Sequence, residues 1–113
     1  MDFTAEAIQA TTLTSANFTA SAEPSSARIV IFEEDVSSVT LNTDIIASVS
    51  RDGGSTFSTV SLSDGGYVTG SSGQRILTGT VDISGQPTGT TMKYKIVSDN
   101  AEHYIHGVSL QWS

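Results

Sequence analysis

Few residues in this 113-residue chain are of types and spacings that do chemistry. The two histidines, His103 and His106, stand three apart in Glu102-His-Tyr-Ile-His106. On an alternating strand such positions face opposite sides, so the pair cannot chelate one ion together. Glu102 can pair with one of them, but none of the 18 serines stands in a nucleophile elbow. Ser–His–Asp chemistry thus has residues without an arrangement. Glycoside hydrolysis needs two acids held ~5–9.5 Å apart across a cleft. Glu33, Glu34 and Asp35 are instead consecutive at a strand end and read as a solvated edge. No catalytic residue is assigned. Asp52, Asp64, Asp82 and Asp99 lie near four different turns; gathered at one pole of a sandwich, they would offer calcium the loop carboxylates it favours. Their spacing fits neither an EF-hand nor a nonapeptide repeat, and calcium is the one cofactor left open. Two aromatics are candidates for stacking on a ligand: Tyr67, in a Gly-rich loop, and Trp112, near the end of the last strand. Trp112 also continues the apolar face of Val108 and Leu110, which suits core or interface packing.

The most specific local signal is Ser50-Arg-Asp52-Gly-Gly54-Ser-Thr56-Phe57. It fits the Ser-x-Asp-x-Gly-x-Thr-aromatic pattern and resembles the Asp-box hairpins of sialidases. The aspartate accepts backbone N–H bonds in the turn, glycine supplies positive φ, and the aromatic packs beneath. Sialidases carry several such boxes on a propeller, which needs several blades. One box on 113 residues implies a structural turn and no sialidase activity.

The elements that must position these residues are strands. Asp2–Ala22 is polar, with sparse apolar residues and enough Ser and Thr to favour extended chain. Residues 1–26 are therefore expected to form a polar leader, extended or a first strand, ahead of a domain over 27–113. Arg28–Phe32 reads as a strand apolar on both faces. Val39–Leu41 is short, and Asn42-Thr-Asp44 is a turn. Ile45, Ala47 and Val49 alternate inward with Ser48 and Ser50 outward, while Ile46 is left on the outer face as a candidate subunit contact. Asp52-Gly-Gly54 closes a hairpin whose return strand carries Val60 and Leu62. Asp64-Gly-Gly66 reads as a second turn, and Thr69-Gly-Ser-Ser-Gly73 as an exposed loop. Leu77, Val81 and Ile83 share a face, as do Met92, Tyr94 and Ile96, with Lys93 and Lys95 opposite. The cleanest period of two places Tyr104, His106, Val108, Leu110 and Trp112 on one face. Six to eight short strands joined by Gly-rich turns predict an all-β fold, a single antiparallel β-sandwich or jelly-roll-like domain.

Composition agrees. Hydrophobic residues are 37%, charged residues 15%, and Ser and Thr number 18 and 15. That is too apolar and too weakly charged for a disordered tail. No apolar run is long enough for a spanning helix, so membrane insertion is not expected. With zero Cys there is no disulfide framework or thiolate zinc site. Five basic residues face twelve acidic ones, a formal charge of −7. Nucleic-acid binding relies on clustered Lys and Arg, so no nucleic-acid partner is expected.

ARIVIFEEDV (27–36), LNTDIIASVSRDGGSTF (41–57), RILTGTVDISGQPTGTTMKYKIVSD (75–99) and HGVSLQWS (106–113) together resemble a C-terminal β-rich module of marine bacteriophage (cyanophage-type) virion structural and tail-fibre-like proteins. The resemblance runs from Ala27 to Ser113 with the motifs in the same order. It implies a non-enzymatic role on the virion surface, as a fibre tip, a head decoration or a self-assembling subunit. It further implies a homo-oligomer, with a trimer favoured, other virion proteins as partners, and a host-surface glycan as a possible ligand. A carbohydrate-binding β-sandwich, calcium-assisted or not, is the alternative.

Overall fold

The alternation of Met92, Tyr94 and Ile96 with Lys93 and Lys95 becomes a strand whose first set is buried and whose second is half-buried. The computed structural model describes residues 7–8, 11–35, 39–67, 74–98 and 103–113, and these contain ten strands and no helix. In chain order the strands are β1 (Ala7–Ile8), β2 (Thr11–Thr14), β3 (Phe18–Thr19), β4 (Ser26–Asp35), β5 (Ile45–Ser50), β6 (Ser58–Val60), β7 (Ser63–Tyr67), β8 (Gln74–Asp82), β9 (Thr91–Ser98) and β10 (His103–Trp112). One sheet runs β1-β10-β4-β8-β7 and the other β2-β9-β5-β6, with β3 also on β9; every pairing between these strands is antiparallel. The fold is an all-β sandwich.

Its core lies where the inward faces meet. Ile29 and Ile31 of β4 and Leu77 of β8 come from one sheet; Ile45, Ala47 and Val49 of β5 with Met92 and Ile96 of β9 come from the other, all fully buried. Each large aliphatic side chain so removed from water contributes ~1.5–3 kcal/mol. At the centre of β8, Gly79 lets the sheets approach: a Cβ there would overlap the Ser61 carbonyl. The described part of the segment expected as a leader supplies β1, β2 and β3, which pair with β10 and β9, and Leu13 and Phe18 pack against the core.

Three expectations change. Asp64-Gly-Gly66 is not a turn: it lies inside β7, where a bulge with Gly66 at φ +98° absorbs the glycines. Ser48 and Ser50 are buried although they alternate with the core residues of β5. Glu33 is not at a solvated edge. It continues the inward series Ala27, Ile29, Ile31 and is fully buried, with Arg75 Nε 2.9 Å from its Oε1. Tertiary pairing of β4 with β8 places that arginine opposite Glu33, which the sequence of β4 alone does not contain. The loop expected at Thr69–Gly73 lies outside the described residues.

Candidate functional site

The last strand builds the site, through a bulge. β10 pairs with β4 in register on both sides of His106, but Ile105 opposes Glu33 while Gly107 opposes Phe32, so His106 is an extra residue. An extra residue reverses which face the following side chains occupy. The single face expected for Tyr104, His106, Val108, Leu110 and Trp112 is therefore divided. Tyr104 and His106 turn outward, their rings 6.0 Å apart, with His106 Nε2 2.9 Å from Glu34 Oε1. Val108, Leu110 and Trp112 turn inward, opposite Ile31, Ile29 and Ala27. Ile105, expected opposite them, is inward as well and buried. Gly107 was the available sign, since glycine inside a strand often marks a bulge.

Inward on β10 does not mean enclosed. Val108, Leu110 and Trp112 are half-buried. With Phe18 and Tyr94 they line a cavity of about 210 Å³ between the sheets. Tyr94 is itself buried, and that burial pushes its phenol up to about 12, so it is neutral at physiological pH. Trp112 also borders a second cleft of about 280 Å³, whose polar lining comes from Ser26, Arg28, Thr80, Gln111 and Ser113. Register explains that lining: Gln111 sits opposite Arg28, and Arg28 opposite Thr80. Arg28 is exposed, and its Nε donates to Thr78 Oγ1 at 3.3 Å. Along β10 from Ile105 to Trp112, no described strand pairs with the edge away from β4.

Asp52, Asp64 and Asp82, the described members of the four aspartates, are not gathered. Asp52 adjoins Thr91, the first residue of β9, and Asp82 opposes Ser26, the first of β4. Asp64 opposes Leu77, five residues along β8 from Asp82, about 17 Å at the usual strand rise. Each carboxylate serves its own locality. Asp64 accepts from Gly66 N at 2.8 Å and lies 3.2 Å from Arg75 Nη1. Asp82 accepts from Ser84 N at 2.8 Å and Ser84 Oγ at 2.6 Å, and these bonds lower its pKa. Asp99 and the side chain of Tyr67 lie outside the described residues. Ile46 is half-buried, opposite Val97 on the outer face of the second sheet.

The Ser50–Phe57 hairpin is a closed hydrogen-bonded unit. Ser50 Oγ donates to Asp52 Oδ1 at 2.6 Å and accepts from Gly54 N at 3.0 Å, while Thr56 N donates to Asp52 Oδ1 at 2.8 Å. Gly53 and Gly54 hold φ of +77° and +99°, and Lys95 Nζ sits 4.4 Å from the centre of the Phe57 ring. The Ser50 hydroxyl first, and the Thr56 amide second, hold the Asp52 carboxyl at about 2, below its ordinary 3.8. A depressed carboxyl stabilises the fold while ionised, so this contribution is complete above pH ~4 and is lost as pH falls towards 2. In urea melts from pH 7 to 2, Asp52→Asn is expected to be less stable than the parent at pH 7 and to show a shallower acid slope; an unchanged slope would mean the hairpin does not sense Asp52 ionisation.

Sequence reasoning missed the residue between Ser50 and Asp52. Arg51 is buried, and its guanidinium donates to four backbone carbonyls: Pro24 at 2.8 Å, Ser84 at 3.1 Å, Gln86 at 2.6 Å and Pro87 at 3.1 Å. Gln86, also buried, accepts from Arg51 N and donates to Val49 O and Ser58 Oγ, each at 2.8 Å. No local pattern marks either residue, because the carbonyls come from distant loops. Together they make the Asp52 pole a rigid structural corner.

Fold and clefts thus define a two-sheet antiparallel sandwich whose side at the last strand is open and aromatic. Comparison of the chain with protein-family models, with curated proteins and with solved structures returned no match.

Proposed function

We propose that this chain is a non-enzymatic virion module of a bacteriophage, a structural or adhesion subunit at the particle surface that assembles with copies of itself and with other particle proteins. The observation that carries this reading is the long edge of β10, uncovered among the described residues, with the apolar cavity of Phe18, Val108, Leu110 and Trp112 behind it. Unprotected edges are normally blunted by charge, proline or bulging. The β7 edge of the same sheet carries Asp64 and a bulge, and the β6 edge of the other is three residues long. Residues 107–112 of β10 carry no Pro, Lys, Asp or Glu. Such an edge suits strand addition by a neighbouring subunit. Ile46 beside Val97 offers a second apolar contact on the other sheet. The resemblance of residues 27–113 to phage virion modules supplies the biological setting.

Light scattering coupled to size exclusion tests the assembly. A trimer or larger species with unchanged mass in EDTA is the expected result, and Ile46→Lys is expected to lower that mass. A monomer at all concentrations would overturn the subunit reading, and loss of mass in EDTA would point to calcium at the interface. A second reading, a carbohydrate-binding sandwich, is favoured by one observation, the polar cleft beside Trp112.

A further inference from the structure

We propose that the free edge of β10 pairs with itself: a second copy of this chain adds its own β10 there, antiparallel, about a two-fold axis at Leu110. The inference rests on the subunit reading and specifies one of its contacts. The direction of the backbone groups comes first. Ser113 N donates to Ser26 O at 3.1 Å and Ser26 N donates to Ser113 O at 3.2 Å, so this pair exchanges both bonds. Bonded and non-bonded pairs alternate along an antiparallel ladder. The same register sets Gln111 opposite Arg28, Ser109 opposite Val30 and Gly107 opposite Phe32, so these three turn their backbone groups to β4. Val108, Leu110 and Trp112 therefore aim theirs at the other edge, which no described strand covers along that stretch. Backbone N–H and C=O groups presented at every second residue are a template for another strand.

The pattern is its own complement. A two-fold axis through Leu110, normal to the sheet, sets Leu110 opposite its copy and Val108 opposite the second copy's Trp112. Each such pair exchanges two hydrogen bonds, so the groups aimed at the edge satisfy one another. The axis also keeps the inner faces on one side. Val108, Leu110 and Trp112 then meet apolar side chains at the mouth of the cavity they line with Phe18 and Tyr94. On the outer face Ser109 meets Gln111 and Gly107 meets Ser113. Charge agrees with this pairing. The chain carries a net −7, yet residues 107–113 hold no ionisable side chain, so two acidic copies approach here without opposing like charges. The other described edges differ: β7 has Asp64 and a bulge, β6 has three residues, and β2 and β3 lie on β9 as two short pieces. A two-fold contact closes on itself, and joined to a three-fold contact elsewhere it gives a hexamer. The expected species thus holds an even number of copies.

Ser109 and Gln111 are exposed, so charges placed on them read the contact rather than the fold. Light scattering coupled to size exclusion, over a range of concentrations, compares the full chain with two double variants, and far-UV circular dichroism checks their folding. Ser109→Glu with Gln111→Glu sets carboxylate against carboxylate across the axis; Ser109→Lys with Gln111→Glu sets lysine against glutamate. The first is expected to halve the mass, with dissociation at least ~10-fold easier, and the second to restore the parent's mass. In the assembled parent the amides of Val108, Leu110 and Trp112 are expected to be protected from hydrogen exchange. An odd-numbered assembly, or one that neither variant changes, would overturn the β10 contact and leave the subunit reading standing. Equal weakening by both variants would show that the edge meets something other than itself, and would overturn the two-fold pairing. A monomeric parent would overturn both readings; protection of the three amides in that monomer would assign the edge to another segment of the same chain.

Discussion

Arg51→Met is expected to destabilise the protein by on the order of 3–4 kcal/mol, because buried polar groups deprived of partners each cost ~1–3 kcal/mol and water recovers only part of that. The substitution keeps the apolar stem and removes only the guanidinium. Four carbonyls from two loops, Pro24 and the 84–87 segment, then lose their donor. The ion pair with Glu23 at 3.4 Å adds little, since that carboxylate is 40% exposed and screened. Arg51→Lys is expected to recover little, because an ammonium cannot match a planar fork aimed at several carbonyls. At ~4 °C per kcal/mol for a domain of this size, the melting temperature should fall by 10 °C or more. A loss below ~1 kcal/mol would mean that Gln86 and solvent hold the corner without the arginine.

Arg75→Met is the second large effect. Glu33 is fully buried, and Arg75, only 12% exposed, places Nε 2.9 Å from its Oε1. Removing the cation leaves a buried carboxylate without its guanidinium, which typically costs ~3–5 kcal/mol. Asp64→Asn is expected to cost under ~1 kcal/mol, because Asp64 is 48% exposed on the outer side of the same arginine. The decisive variant is the double replacement Glu33→Leu with Arg75→Met. Replacing a buried pair by apolar residues of similar volume is often neutral, so the double variant should be more stable than Arg75→Met alone. Urea unfolding of the parent, both single variants and the double one measures this as a thermodynamic cycle. A double variant no better than the single would show that Glu33 is held mainly by other groups.

Much of the sandwich was legible in the residues. Strands β5, β8 and β9 follow their apolar alternation, and the Asn42–Asp44 and Asp52–Gly54 turns stand where Asn, Asp and Gly place them. The misreadings share one cause. At Glu33 the type of the residue argued for solvent, while its parity along β4 argued for the core, and an arginine from β8 let parity prevail. At Asp64-Gly-Gly66 turn chemistry was real but lay beside β8, whose backbone pairs with the segment and makes it an edge strand.

The candidate site was less legible. Trp112 was identifiable as an aromatic near the end of an apolar face, yet its neighbours were not: Ala27 and Val81 stand beside it only through the β10–β4–β8 register, and Phe18 and Tyr94 share its cavity only once the sheets pack. The three described aspartates illustrate the converse, since a shared residue type near turns did not bring Asp64 to the pole of Asp52 and Asp82.

By itself the sequence determined the all-β class, the alternation of β9 and the Ser50–Phe57 hairpin, because periodicity and turn chemistry act within a few bonded residues. Only the tertiary structure decided the burial of Glu33 and Arg51, the bulge at His106 and the opening of two clefts at Trp112. Each of these depends on a strand or loop distant in the chain, whose backbone groups and charges exist for that residue only once the sheets are paired and packed.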